Sequence, residues 1–369
     1  MVLYATDAGQ PITTQSMIRA FRSCPREALY KYVERLVPKT VRKPLTRGKW
    51  MHALLETYYR TLAETKRDGA AARAWKKEHQ YWVNSYLKLF DEEKEMLGDL
   101  PREMSQLMES YLWHYGDPDY EDHWWNVHEV ELTVEAELPN GHLFRCRLDL
   151  LEEDEFGLWV WDHKTHKREP DWEKRMLDEQ GPLYIWACRQ AGIPVRGFGW
   201  NYLVTESISW PRVVKDGSRF YANAGESDYP TYVAAVKQAM EEHGDKFLAD
   251  PEHKRVVAHN LKRYKAARWK PGSMQTSPHF RRVMIEKDDA MIDRVLKAAV
   301  RTSDTMHSYD FSDHDCVERN VGACRSFICD YASLSMMDLL KGDSEMIKRR
   351  EYKRTDDPLA YYDEREERF

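Results

Sequence analysis

The spacing of hydrophobic residues changes several times along this chain, and each change marks an element. In "EVELTVEAELPNGHLFRCRLDLL", Val130, Leu132, Val134, Ala136 and Leu138 alternate with Glu or Thr. That is the two-residue period of a half-buried strand. Pro139–Asn140–Gly141 reads as a hairpin turn, and Phe144, Cys146, Leu148 and Leu150 alternate on the return. An acidic turn, "EEDEFG", leads into the apolar run "LWVWDHK", which completes a three-stranded antiparallel meander. A helix is expected from about Trp172 to Ala191, then a break at Gly192–Ile193–Pro194 and a strand, "VRGFGWNYLVT".

Ahead of the meander the period is helical. "TTQSMIRAFRSCPREALYKYVERLVP" carries Met17, Ile18, Phe21, Leu29, Tyr32 and Val33 at helix spacing, behind Thr and Ser caps. Pro25 predicts two short helices with a bend at Cys24–Pro25. From Gly48 to Tyr115 several helices are expected, with turns near Asp68–Gly69 and Gly98–Pro101. The order helix, three strands, helix, strand predicts an α/β core around a single sheet. The expected divisions are 1–47, N-terminal helices; 48–205, the core, with a helical insert at about 60–120; 206–342, mainly helical; and 343–369, a charged tail expected to be partly disordered.

Composition narrows the class without naming a chemistry. The 369 residues are 42% hydrophobic and 32% charged, those of an ordinary globular protein. No apolar run is long enough for a membrane span, so no membrane partner is expected. Six cysteines without a secretion signal point to a reducing, cytoplasmic setting. The net charge of −6 argues against a wholesale nucleic-acid coat, but the basic residues are uneven. Lys39 to Lys49 holds five of them with no acid, and "HKRVVAHNLKRYKAARWK", His253 to Lys270, holds seven. Such runs are solvated faces or a phosphate-tracking groove.

The candidate chemistry lies where the meander turns polar. Asp149 is near the end of the second strand and Asp162 near the end of the third, so both are expected at one end of the sheet. Lys164, two residues beyond Asp162, shares its face. Paired carboxylates repel unless a cation sits between them, and hard oxygen ligands suit Mg²⁺ or Mn²⁺. A metal with a lysine beside it is what phosphodiester hydrolysis needs.

Asp149, then "DHK" on the next strand, then a helix, resembles the PD-(D/E)XK nuclease core. "QGPLY", Gln180 to Tyr184, resembles the QxxxY signature of the RecB-like branch, and "GKWMH", Gly48 to His52, its GxxxH. The resemblance implies a central mixed sheet with flanking helices. It implies metal binding by Asp149, Asp162, the His52 ring and the His163 carbonyl, catalysis by Lys164, and positioning by Gln180 and Tyr184. The rings of His163 and His166 are read as incidental. Many relatives carry glycine three residues before the first aspartate; here it is Cys146.

Cys146 and Cys188 fall on expected core faces. Cys24, Cys316, Cys324 and Cys329 form a thiolate set suited to tetrahedral zinc or a [4Fe–4S] cluster. One early and three late cysteines resemble the iron–sulfur RecB-like proteins, the AddB-type and CRISPR-associated nucleases. Relatives commonly space the late three as CxxCxxxxxC after the first; here Cys316, Cys324 and Cys329 are wider apart, and Ser335 stands where a last cysteine would fall.

The function so implied is a metal-dependent DNA exonuclease acting at ends, in recombination, repair or phage DNA processing. The alternative is a non-catalytic DNA-end-binding iron–sulfur subunit beside a helicase or recombinase. No GxxxxGK[ST] occurs, so the chain is not itself the helicase.

Overall fold

The computed structural model describes residues 4–116, 126–205, 208–221, 227–268, 277, 279–324 and 329–355, including the backbone but not the side chain of Cys324. The chain opens with β1 (Ile12–Thr13) and α1 (Gln15–Ser23), whose first turn is capped by Thr14 accepting from the Met17 N–H. α2 (Pro25–Ala28) follows the expected bend and runs into a π turn at Leu29–Val33. Then come β2 (Leu36–Pro38) and four helices, α3 (Lys43–Thr65), α4 (Asp68–Tyr86), α5 (Asp91–Leu97) and α6 (Leu100–Tyr115). The meander is β3 (Asn126–Glu137), β4 (Leu143–Asp154) and β5 (Gly157–His166). After it lie α7 (Trp172–Met176), α8 (Gln180–Gln190), β6 (Val195–Val204), α9 (Tyr229–His243), α10 (Pro251–Ala266), β7 (Phe280–Ile285) and α11 (Asp289–Ser308). α12 (Val321–Cys324), α13 (Ala332–Leu339), α14 (Ser344–Glu351) and β8 (Tyr352–Arg354) finish the described chain.

The sheet is mixed, as expected, ordered β1–β4–β5–β6–β7 with β3 on the other edge of β4. β5 and β6 are parallel; β3–β4, β4–β5 and β6–β7 are antiparallel. Helices cover both faces. α3 and α6 bury Trp50, Leu54 and Tyr111 against Leu150, Trp159 and Trp161. α8 and α11 bury Leu183, Ile185 and Ala299 against Phe144, Leu148 and Val160. Adjacent strands fit by size: a Cβ at Gly197 or Gly199 of β6 would lie 2.5 Å from the rings of Trp159 or Trp161 of β5.

Two expectations change and two gain detail. The single helix over 172–191 is two, because the Asp178 carboxylate accepts from the Gln180 N–H at 2.9 Å and starts α8 afresh. The region read as mainly helical contributes β7, where an inward-facing Arg282 hid the apolar alternation. The tail is ordered at its start, as α14 and β8, which pairs antiparallel with β2; residues 356–369 lie outside the described residues. Last, the alternation of the meander does not keep one face. Val134, Ala136, Phe144, Cys146 and Leu148 face the α8 side, whereas Val130 and Leu150 face the α3 side. The switch occurs at Glu131, whose φ of 55° is in the left-handed region, rare for a residue with a side chain.

Candidate active site

The β4–β5 ladder stops at the pair Leu150–Trp161. The next residues inward on the two strands are Asp149 and Asp162, so the carboxylates sit where the strands part, within β4 and β5 and not at their ends as expected. Asp149 Oδ2 accepts the His163 N–H at 2.7 Å, which satisfies a backbone donor of the parting strand.

α3 brings the third group. A Cβ at Gly48 would lie 3.5 Å from Thr165 Oγ1, so the helix runs close over β5. One turn on, His52 Nε2 is 2.8 Å from the His163 carbonyl. A carbonyl only accepts, so Nε2 carries the proton and donates. Burial lowers the imidazole pKa, leaving the ring neutral. Its Nδ1 lone pair then lies 3.5 Å from Asp149 Oδ2. Two lone pairs facing one point call for a proton or a cation between them.

On the other flank, Lys164 Nζ is 2.6 Å from Asp162 Oδ2, and Gln180 Nε2 donates to Asp162 Oδ1 at 2.7 Å. Tyr184, one turn along α8, shares a hydrogen bond with Gln180 and packs edge-on against Phe198; burial raises its hydroxyl. Asp149, Asp162, Lys164, Gln180, His52 and the His163 backbone are therefore gathered, with Tyr184 behind them. Burial raises the Asp149 carboxyl to about 7, and the Asp162 charge adds to it.

Two residues were missed. Glu131 of β3 stands opposite Asp149 in the register, between the paired positions Val130–Leu150 and Leu132–Leu148. His52, Glu131 and Asp149 each bring a ligand atom within 4.8 Å of the others, the only such group of three or more among the described residues. Burial lifts Glu131 to about 7, helped by Asp149, while Arg147 Nε, which donates to it, opposes the shift. Its place in an alternating strand marked it only as a polar-face residue. Asn201 of β6 was also passed over. Its side-chain amide meets His163 Nδ1 at 2.9 Å and donates to Tyr111 Oη at 2.8 Å. Tyr111 is joined to Tyr59, Tyr59 stacks on the His163 ring at 5.8 Å, and Arg282 donates to Tyr59 and to Glu152. The His163 ring is thus a buried anchor, a correction to its reading as incidental. His166 is half-buried, edge-on to Tyr202.

The first basic run is largely engaged within the protein. Lys43 and Arg47 pair with Glu103, Arg42 with Asp330, and Lys39 donates to the Arg349 carbonyl. The second forms α10, which buries His253, Val257 and Tyr264 and exposes Lys254, Arg255, Arg263 and Lys265; residues 269–270 lie outside the described residues.

A family model for the PD-(D/E)XK nuclease superfamily matches residues 13–334. The chain belongs to the PD-(D/E)XK nuclease superfamily. A search of curated proteins found no match. Membership makes the protein a phosphodiester-cleaving nuclease of a superfamily that usually works with a divalent metal. The donor set fits one: neutral imidazole and carboxylates held in a partly buried notch, with lone pairs converging. None of the described helices is long and apolar enough to cross a membrane.

The cysteines lie elsewhere. Cys24 is buried, and its Sγ accepts the Asn320 N–H at 3.4 Å; Arg26 N–H donates to the Glu318 carbonyl. Cys316 is exposed, and Cys329 is partly buried against the cluster that holds Met17, Phe21 and Tyr331. The early cysteine therefore lies beside the segment that follows Cys316. The Cys324 side chain lies outside the described residues.

Proposed function

We propose that the protein is a metal-dependent DNA exonuclease of the RecB-like branch, hydrolysing phosphodiester bonds at DNA ends in recombination, repair or phage DNA processing. The observation that carries this reading is the convergence of Asp149, Asp162, Lys164 and Gln180 with His52 where β4 and β5 part. The GxxxH stretch on α3 and the QxxxY stretch on α8 both reach this point, which favours the RecB-like branch over a bare nuclease core.

Mg²⁺ or Mn²⁺ held by Asp149, Asp162, His52 and the His163 carbonyl would polarise the phosphate and acidify a water. Lys164, held beside Asp162, is placed to orient that water and to meet the charge growing on the phosphate. Gln180 fixes the Asp162 carboxylate through Oδ1, and Tyr184 steadies Gln180 from the core side. The exposed basic residues of α10 are assigned to the phosphate backbone of DNA, and the partner to a helicase or recombinase.

A [4Fe–4S] cluster on Cys24, Cys316, Cys324 and Cys329, with zinc as the alternative, would staple the early and late segments. The nearness of Cys24 to Asn320 supports that grouping. Iron, sulfide and zinc content of anaerobically purified protein, with Cys24→Ser beside it, decides between them.

The nuclease reading is tested with end-labelled single- and double-stranded DNA in Mn²⁺, Mg²⁺ or EDTA. Metal-dependent loss of label by the wild type, absent in Asp162→Ala, supports it. Tight DNA binding without cleavage in either metal sinks it and leaves a DNA-end-binding subunit.

A further inference from the structure

We propose that Glu131 is a protein ligand of the divalent cation, so that the metal site extends from α3 and β4 onto β3 to include His52, Asp149 and Glu131. The inference rests on the nuclease reading and adds to it a residue that neither the DxK stretch nor the flanking signatures contain. Three observations carry it.

The first is placement. Glu131 faces Asp149 across β3–β4 at the one pair where the ladder between Val130 and Leu132 is interrupted. The second is geometry. An oxygen of Glu131, a nitrogen of His52 and an oxygen of Asp149 lie within 4.8 Å of one another, a span an ion bonded to all three at about 2.1 Å bridges with modest movement. The third is the placing of the histidine: with Nε2 set on the His163 carbonyl at 2.8 Å, its Nδ1 lies on the Asp149 side, 3.5 Å from Oδ2.

Arg147 Nε donates to Glu131 Oε2, which makes a plain cross-strand ion pair the competing account. A carboxylate has a second oxygen, and Oε1 is the one assigned to the metal. The two accounts differ in what each variant does. As an ion-pair partner only, Glu131 would matter to folding and Arg147 would matter equally. As a ligand, Glu131 governs the cation and Arg147 does not.

The experiment is Mn²⁺ binding to DNA-free, full-length protein by calorimetry and by the loss of free-Mn²⁺ paramagnetic resonance signal. Wild type, Glu131→Gln, Arg147→Gln and Asp149→Asn are compared, each checked by thermal melting. Glu131→Gln is expected to weaken Mn²⁺ at least about 10-fold, with Arg147→Gln within about 3-fold of wild type. Wild-type affinity in Glu131→Gln together with lost binding in Asp149→Asn overturns the Glu131 assignment and leaves the nuclease site standing. Wild-type affinity in both overturns the metal site itself. Should Glu131→Gln fail to fold, Mn²⁺-soaked crystals of the wild type decide by anomalous scattering. A peak within bonding distance of Glu131 supports the ligand, and a peak on Asp149 and Asp162 alone overturns it.

Discussion

Two carboxylates three residues apart on β4 have opposite fates. Glu152 is buried, yet Arg282 of β7, equally buried, lies 2.9 Å away, and its guanidinium stacks over Trp161 at 4.6 Å. Burial alone would push Arg282 down, but Glu152 and the surrounding tyrosines hold it up and fully charged. Asp149 is only partly buried, and its immediate neighbours are a backbone N–H, a neutral imidazole and a second carboxylate, with the Lys164 ammonium drawn to Asp162 and the Arg147 guanidinium to Glu131. Burial raises both acids. The next influence on Glu152 is an opposing cation, whereas on Asp149 it is the Asp162 charge, acting in the same direction. One acid has its counter-ion built into the chain, and its role is to hold the sheet. The other is left short of positive charge, which marks a place for a cation from solution.

The sharpest way to break this contrast is to remove a carboxylate from one site and the counter-ion from the other. Asp162→Ala is expected to lower the cleavage rate by about 10³-fold while leaving the melting temperature within a few degrees. A gel assay and a melt on one preparation check both. Arg282→Ala should do the reverse in kind, destabilising the fold by about 3–5 kcal/mol in urea unfolding, because it strands Glu152 in the core. Replacing both partners with Leu and Met should recover most of that loss; no recovery would mean that Arg282 acts through its tyrosine contacts instead.

The third test uses pH. Burial, with each acid's carboxylate neighbour adding to it, raises the Asp149 and Glu131 carboxyls to about 7, above the ordinary carboxylate range. Their contribution to metal-free stability is therefore complete below about pH 4 and lost as pH rises through 7. A cation replaces the missing proton, so saturating Mn²⁺ should raise the melting temperature little at pH 5 and more at pH 8. The gain should approach about 2.7 kcal/mol at a hundredfold excess over Kd. A gain that shrinks between pH 5 and 8 contradicts the raised carboxyls. The smallest effect expected is from Gly199→Ala, whose Cβ meets Trp161 beneath Arg282; about 1–3 kcal/mol of destabilisation follows, without loss of metal binding.

The meander, the last core strand and the signature residues were legible because each rests on a local pattern. Two-residue alternation gave β3 and β4, and the spacings Gly48–His52 and Gln180–Tyr184 matched single helical turns. What local pattern does not carry is a change of face. The left-handed residue at Glu131 turns Val130 and Leu150 to the opposite side, and nothing in "EVELTVE" signals it. Nor could periodicity find β7, since Arg282 occupies an inward position whose partner, Glu152, lies far back in the sequence. The helix break before Gln180 depends on one Asp178 side chain accepting a hydrogen bond from the Gln180 N–H, which outcompetes a continuous helical pattern.

β2 and β8 pair Leu36 with Arg354, and Met17 and Phe21 share a cluster with Ile347 and Tyr352. Such contacts fix an order of events during synthesis. A ribosome adding about 5–20 residues per second takes on the order of 15–60 s to travel between the two strands. Through that interval the sheet and its carboxylates emerge and can assemble, while the segment bearing α1 and β2 waits for its partners. The closing of β2 on β8 therefore cannot precede synthesis of the strands that carry the carboxylates.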